Sequence, residues 1–306
     1  MSLATDSAPT WMADALAHSP ASNEISVDGC PIHYLSWNAD DRRKPGVLLV
    51  HGFCAHAHWW DFVAPALLDH YRVFAIDLSG MGDSGHREQY RISTYCREIA
   101  AVIDAADIAP ATVVAHSFGG LMSIQAIYRN PAKVSAGVII DSRINFPRAG
   151  EESAPPARGA SEQRPKRIYP DFEQALARFR LIPPENSAEP AVFDYVGRLS
   201  LRPASEGWVW KFDDRITFSL DYTEISEAEM LRKIDCPMAF IYGEHSVVAP
   251  RDVAEKTVGY MNRGRPALCV PGAHHHVLLD KPLALRELLC ELIPSLHAEG
   301  ADPKSG

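Results

Sequence analysis

Residues 115–120, Ala115-His116-Ser117-Phe118-Gly119-Gly120, join a run of small and β-branched residues to a helical pattern that ends at Asn130, ahead of Pro131. The segment reads as strand, sharp turn and helix with serine at the apex. Such a turn holds its serine in a strained backbone conformation, and strand and helix can approach only if the residues two positions before and after it are small. Ala115 and Gly119 meet that requirement. The plainer alternative is an ordinary turn in which Ser117 only caps the helix. The surrounding pattern decides between them.

That pattern alternates short apolar runs with longer helical ones. Residues 24–37 hold two alternating runs about Asp28-Gly29, a dipeptide suited to a tight hairpin. Buried-strand runs follow at 46–50, 71–76, 112–115, 134–140, 238–242 and 267–270. Between them, residues 93–106 place Cys96, Ile99, Val102, Ile103 and Ala106 at helical spacing, with Ser93 or Thr94 as the expected cap, and a last helix is expected over 283–293. Alternation of this kind predicts an α/β fold: a mostly parallel sheet with helices on both faces. The chain of 306 residues allows one large domain with an insertion, or two domains, at about 150 residues each. The rhythm breaks after Asp141, so residues 23–142 and 232–297 are read as the core and 143–231 as an inserted, largely helical lid. Within it, residues 147–167 are rich in Pro, Arg, Glu and Gly and read as a mobile surface loop. Asp171 is placed to cap a helix carrying Phe172, Ala175, Leu176 and Phe179, and Val192, Tyr195, Val196 and Leu199 repeat the spacing. Residues 1–22 and 298–306 read as tails.

Composition removes several classes of function. With 39 acidic against 30 basic residues and a net charge of -9, the chain lacks the basic excess of a nucleic-acid binder. No run approaches the ~20 apolar residues of a membrane span, and the N-terminus lacks a signal-peptide pattern, so a cytoplasmic location is expected. The six cysteines are scattered without a CxxC pair, which argues for reduced thiols.

Two further motifs accompany the serine turn: Val50-His51-Gly52-Phe53 at a strand end, and Asp77-Leu78-Ser79-Gly80-Met81-Gly82-Asp83-Ser84-Gly85 after the next strand. Together these segments resemble the α/β-hydrolase superfamily over most of residues 24–293 outside the lid. The motif order matches: histidine-glycine loop, acidic glycine turn, nucleophile elbow, acid, histidine. The resemblance implies Ser117 as nucleophile and the backbone N–H groups of Phe53 and Phe118 as an oxyanion hole, with no cofactor. Gly80, Gly82 and Gly85 also fit a dinucleotide-binding pattern, but no helix opens at the third glycine to receive a pyrophosphate, so a structural turn is expected.

The family pattern puts the histidine seven residues before a proline that opens the final helix, which selects His275 ahead of Pro282. His274 and His276 are the other candidates. A metal reading of the triple histidine, with His56 and His58, lacks supporting ligand spacing. The family's usual Gly-Glu-x-Asp is here Gly243-Glu244-His245-Ser246, with serine at the aspartate's place. A minority of the family supplies the acid from the preceding strand, where Asp141 stands. Asp141 is therefore the expected acid and Glu244 the alternative.

These residues imply acyl transfer on a small ester-like substrate, a carboxylic ester or lactone. A serine at the elbow speaks against haloalkane dehalogenase and epoxide hydrolase chemistry, which in this superfamily uses a carboxylate there. A C–C bond hydrolase, an amidase, a perhydrolase and a noncatalytic ligand receptor are the rival readings. Trp59, Trp60, Trp208 and Trp210 are candidate walls of an apolar acyl pocket. Arg143, Arg148 and Arg178 are candidate partners for a substrate carboxylate.

Overall fold

The computed structural model describes residues 8–146, 167–185, 188–216 and 226–300. In chain order the elements are α1 (Thr10–Leu16), β1 (Ala21–Val27), β2 (Cys30–Trp37), β3 (Gly46–Val50), β4 (Arg72–Ile76), α2 (Ile92–Ala105), β5 (Ala111–His116), α3 (Phe118–Arg129) and β6 (Val134–Ile140). After β6 come α4 (Phe172–Leu176), α5 (Pro190–Leu199), β7 (Leu201–Ala204), β8 (Gly207–Trp210) and α6 (Glu227–Lys233). The chain then returns through β9 (Met238–Gly243), α7 (Arg251–Tyr260), β10 (Leu268–Val270), α8 (Val277–Asp280) and α9 (Pro282–Gly300).

Eight strands form one sheet in the order β1-β2-β4-β3-β5-β6-β9-β10. Only β2 runs against its neighbours; β4, β3, β5, β6, β9 and β10 are parallel. The β1–β2 hairpin turns at Asp28 and Gly29, with φ of 49° and 75°, the left-handed pair that matches strand twist. Strand side chains alternate between two cores. Leu48, Val50, Phe74 and Ile76 face one, covered by α2, α3 and α6, whereas Val47, Leu49, Val73 and Ala75 face the other, covered by α1, α8 and α9. Each such buried Val, Leu or Ile contributes about 1.5–3 kcal/mol relative to exposure. The order reverses at β3, which has β4 on one side and β5 on the other. A crevice at the carboxyl ends of β3 and β5 is where this topology binds ligands.

Several sequence expectations are corrected here. The segment read as an N-terminal tail carries α1, whose Met12 is 2% exposed in the second core, and β1 begins at Ala21. Ser93 and Thr94 lie inside the first turn of α2 instead of ahead of it, because buried Ile92 already starts the helix and Arg91 is the cap residue. The last helix extends through Pro294 to Gly300, since Leu292, Ile293 and Leu296 keep one face buried across the proline. The insertion is not wholly helical: β7 and β8 pair antiparallel, Leu201 opposite Trp210 and Ala204 opposite Gly207. Asp171 does cap α4, accepting the Gln174 N–H at 2.8 Å. At the far end of the insertion α6 packs against α3, where buried Gln125 donates to Glu227 at 3.0 Å. Residues 147–166, including Arg148, lie outside the described residues.

Candidate active site

Two neighbouring strands end in left-handed, non-glycine residues: Ser117 after β5 at φ 52° and Asp141 after β6 at φ 46°. Each costs on the order of 1–3 kcal/mol unless its surroundings hold it. Here the sheet ladder does so, with Ser117 N–H donating to Ile140 O and Asp141 N–H to Ile241 O, both at 2.8 Å. The Ser117 carbonyl accepts from the Ser142 hydroxyl at 2.7 Å and from the Gly120 N–H at 2.9 Å. Gly119 is required by space, since a Cβ there would overlap the His51 carbonyl oxygen. Gly52 is pressed on the elbow in the same way, its missing Cβ falling 2.9 Å from His116 Nδ1 and 3.3 Å from Ser117 Cβ. The two glycines let the histidine-glycine loop and the elbow meet. The rings of Phe53 and Phe118 pack edge to face there, 6.0 Å apart.

Asp141 is fully buried and surrounded by donors. Its Oδ1 accepts from His275 Nδ1–H at 2.8 Å and from the Ser246 hydroxyl at 2.6 Å, and its Oδ2 accepts the Gly243 N–H at 2.8 Å. A buried carboxylate is tolerable only with such partners. Ser246, at the place where the family's aspartate would stand, thus donates to Asp141, which follows the adjacent strand. Its oxygen also accepts the Val248 and Ala249 N–H groups, each at 3.1 Å. Ser246→Ala strands those donors and removes one from Asp141. We expect a loss of about 2 kcal/mol, seen by calorimetry as a Tm lower by about 4 °C; an unchanged Tm contradicts this bonding.

The alternative acid, Glu244, is half exposed and accepts the Gly272 N–H at 2.8 Å, with His245 Nε2 at 3.8 Å. The three consecutive histidines face three different carboxylates: His275 Asp141, His276 Glu185 at 2.7 Å, and His274 Asp280 at 4.0 Å. This fan-like spread does not gather them around one ion. His56 turns to Ser200 at 3.0 Å, and burial holds its imidazole down to about 3. His58 pairs with Asp61 at 2.8 Å.

Two neighbours of the site carry no motif signal. His116, nearly fully buried beside the elbow serine, donates from Nε2 to the His275 carbonyl at 2.9 Å, and burial pushes its pKa well below the usual histidine value. Glu185, from the insertion, reaches the backbone of the His275 loop. Neither was legible in advance, because both act on a backbone group that only the fold brings within range.

Of the four tryptophans, Trp60 is wholly buried in the second core and so is not a pocket wall, a correction that follows from the inward turn of residues 57–60. Trp208 packs on Phe172 inside the insertion at 4.9 Å. Trp59 lies against His276 at 5.8 Å, and Trp210 stacks on Phe212, which in turn packs on the core that contains Phe118. Arg143 and Arg178 are exposed. The insertion is tied to the core by Tyr90 donating to Asp213 at 2.6 Å and by Tyr195 donating to Asp61 at 2.6 Å. Gly80 and Gly82 turn in the left-handed region, and α2 begins only at Ile92, leaving no helix start beside Gly85. Among the described residues no helix is long and apolar enough to cross a membrane.

Residues 45–282 match the model of the alpha/beta hydrolase fold family. The chain is 26% identical over 232 residues to pimeloyl-(acyl-carrier protein) methyl ester esterase of Neisseria meningitidis, covering 74% of this chain and 86% of that protein. It is 29% identical over 126 residues to human epoxide hydrolase 4, covering 40% of this chain and 33% of that protein. Among solved structures it shares its fold with a thioesterase domain from the curacin biosynthetic pathway, at TM-score 0.75 and 24% identity over 89% of this chain and 99% of that one. An esterase from Mycobacterium tuberculosis is similar at TM-score 0.68 and 20% identity, over 95% of this chain and 100% of that one.

Proposed function

The chain belongs to the alpha/beta hydrolase fold family and is an enzyme of it, and from that premise we propose that it is a serine hydrolase that cleaves a carboxylic ester or lactone through an acyl-enzyme on Ser117. The observation that carries the reading is that the strained Ser117 and Asp141 end adjacent strands, and that the Asp141 carboxylate holds the buried His275 ring at 2.8 Å. In the proposed cycle the Ser117 hydroxyl attacks the carbonyl carbon while His275 Nε2 takes its proton. The tetrahedral oxyanion is met by the backbone N–H groups of Phe53 and Phe118, donors commonly worth about 3 kcal/mol each. His275 then protonates the leaving alcohol, and a water activated by the same imidazole releases the acid. Asp141 holds the proton on Nδ1, which leaves Nε2 free to act as the base. The name of the N. meningitidis relative, a methyl ester esterase, favours ester over amide cleavage. The serine at the elbow, where epoxide hydrolases of the family use a carboxylate, separates this chain from the other relative.

The insertion is read as a lid that shapes an apolar acyl pocket, supported by the Trp210–Phe212 stack and the Phe53–Phe118 pair. Each methylene buried there is worth about 0.8 kcal/mol, close to fourfold in rate. A p-nitrophenyl ester series is therefore expected to show kcat/KM rising by about 15-fold over the two methylenes from acetate to butyrate. Trp210→Ala should flatten the series and Trp208→Ala should not. A flat series in the wild type removes the apolar pocket. A stoichiometric burst of p-nitrophenol, with an acyl adduct on Ser117 by mass spectrometry, tests the mechanism itself; ligand binding with neither burst nor turnover favours a receptor.

A further inference from the structure

Glu185 belongs to the insertion, between α4 and α5, yet its side chain is only 6% exposed. Every hydrogen bond it accepts among the described residues comes from the loop that carries His275. Its Oε1 accepts the His275 N–H at 3.1 Å, and its Oε2 accepts the His276 N–H at 3.3 Å and the His276 Nδ1–H at 2.7 Å. Burial raises this carboxyl's pKa, but the His276 ring and the two backbone donors outweigh it and hold Glu185 below the usual carboxylate range. A carboxylate is buried only where donors surround it, and here they lie outside the insertion.

His275 is consequently held from three directions. Its ring is fixed by Asp141 at 2.8 Å, its carbonyl by His116 Nε2–H at 2.9 Å, and its N–H by Glu185. The first two holds come from the ends of β6 and β5, and the third comes from the insertion. The arm behind Glu185 is stiff and anchored. Pro183 and Pro184 restrict φ near -65°, and Phe179 and Leu181 before them are buried in the second core. The His276 ring is packed between Trp59 at 5.8 Å and His116 at 6.0 Å, so the loop has little freedom while Glu185 is in place.

We propose that Glu185 is a positioning residue that sets the angle at which the loop presents His275 to Ser117, so that seating the lid and aligning the base are one structural event. The proposal rests on the reading of His275 as the base. Glu185 touches no reacting atom. A misplacement on the order of 1 Å costs up to ~100-fold in rate. Glu185→Ala is therefore expected to lower kcat for p-nitrophenyl butyrate by about 10- to 100-fold, with KM within about threefold. Glu185→Gln, which keeps the shape and one acceptor oxygen, should recover most of that loss.

The test measures kcat and KM for wild type and both variants, and beside them the rate at which an alkyl fluorophosphonate labels Ser117. The labelling rate should fall with kcat in Glu185→Ala and return in Glu185→Gln. Labelling and kcat at wild-type values in Glu185→Ala overturn the proposal and leave the serine hydrolase reading intact. A wild type that is neither labelled nor active overturns that reading and this proposal with it. A lower Tm with unchanged kcat marks a structural contact only and also overturns it. If Glu185→Ala does not fold, Glu185→Asp, which shortens the reach to the His275 and His276 N–H groups, takes its place, and wild-type kcat and labelling in it are the overturning result.

Discussion

Ser117→Ala is expected to lower kcat for p-nitrophenyl butyrate by about 10⁵- to 10⁶-fold, as loss of the nucleophile does when a triad acts as a unit. The size of the effect follows from the proposed chemistry: without Oγ no acyl-enzyme forms, and water alone must attack a carbonyl held by the remaining donors. The fold should persist. The turn at 117 is held through the backbone N–H and C=O of residue 117, which bond the Ile140 carbonyl, the Ser142 hydroxyl and the Gly120 N–H. Alanine keeps all three bonds and meets the same left-handed φ as serine. Steady-state kinetics together with a Tm within a few degrees of wild type checks the prediction; activity within tenfold of wild type contradicts it.

Asp141→Asn is expected to cost about 10⁴-fold in kcat. The reason is proton direction. The Gly243 N–H needs an acceptor, so the asparagine amide oxygen takes the Oδ2 place and its NH₂ faces His275 and Ser246. A donor opposite Nδ1 favours the tautomer with the proton on Nε2, which cannot accept from Ser117. Glu244→Gln, at a half-exposed carboxylate on Gly272, should leave kcat within about threefold. Measured side by side, a larger loss in Glu244→Gln than in Asp141→Asn reverses the proposed acid.

The inner strands of the sheet are legible because each is a short apolar run bounded by turn residues, and the limits of β3 and β6 match the runs to the residue. In the sequence Asp141 is singled out as the proposed acid because the serine at 246 stands in the usual candidate's place. The alternating residues 207–210 carry the period-2 signal of a strand, and the structure pairs them with β7. Their tryptophans drew attention to a pocket instead. Trp60 shows the limit of composition: an aromatic next to a functional loop reads as a wall, whereas its burial is set by the direction in which residues 57–60 turn. The helix α1 spans only seven residues, too few for a helical period to stand out in sequence. Its Met12 is buried in the second core, and its Trp11 packs edge-on to Phe62 at 5.9 Å.

The fold family, the succession of strands along the chain and the identity of the residues at the strand ends are legible in the amino-acid sequence, because hydrophobic period, glycine spacing and motif order are local properties of the chain. Only the tertiary structure decided which partners those residues meet. Asp141 and Ser246 follow neighbouring strands, His116 reaches a carbonyl 159 positions away, and Glu185 crosses from the insertion to the 275–276 loop. These are hydrogen bonds between distant segments, several of them to backbone atoms that every residue type offers. No local pattern encodes them; they form where the sheet, its two cores and the insertion bring the groups together.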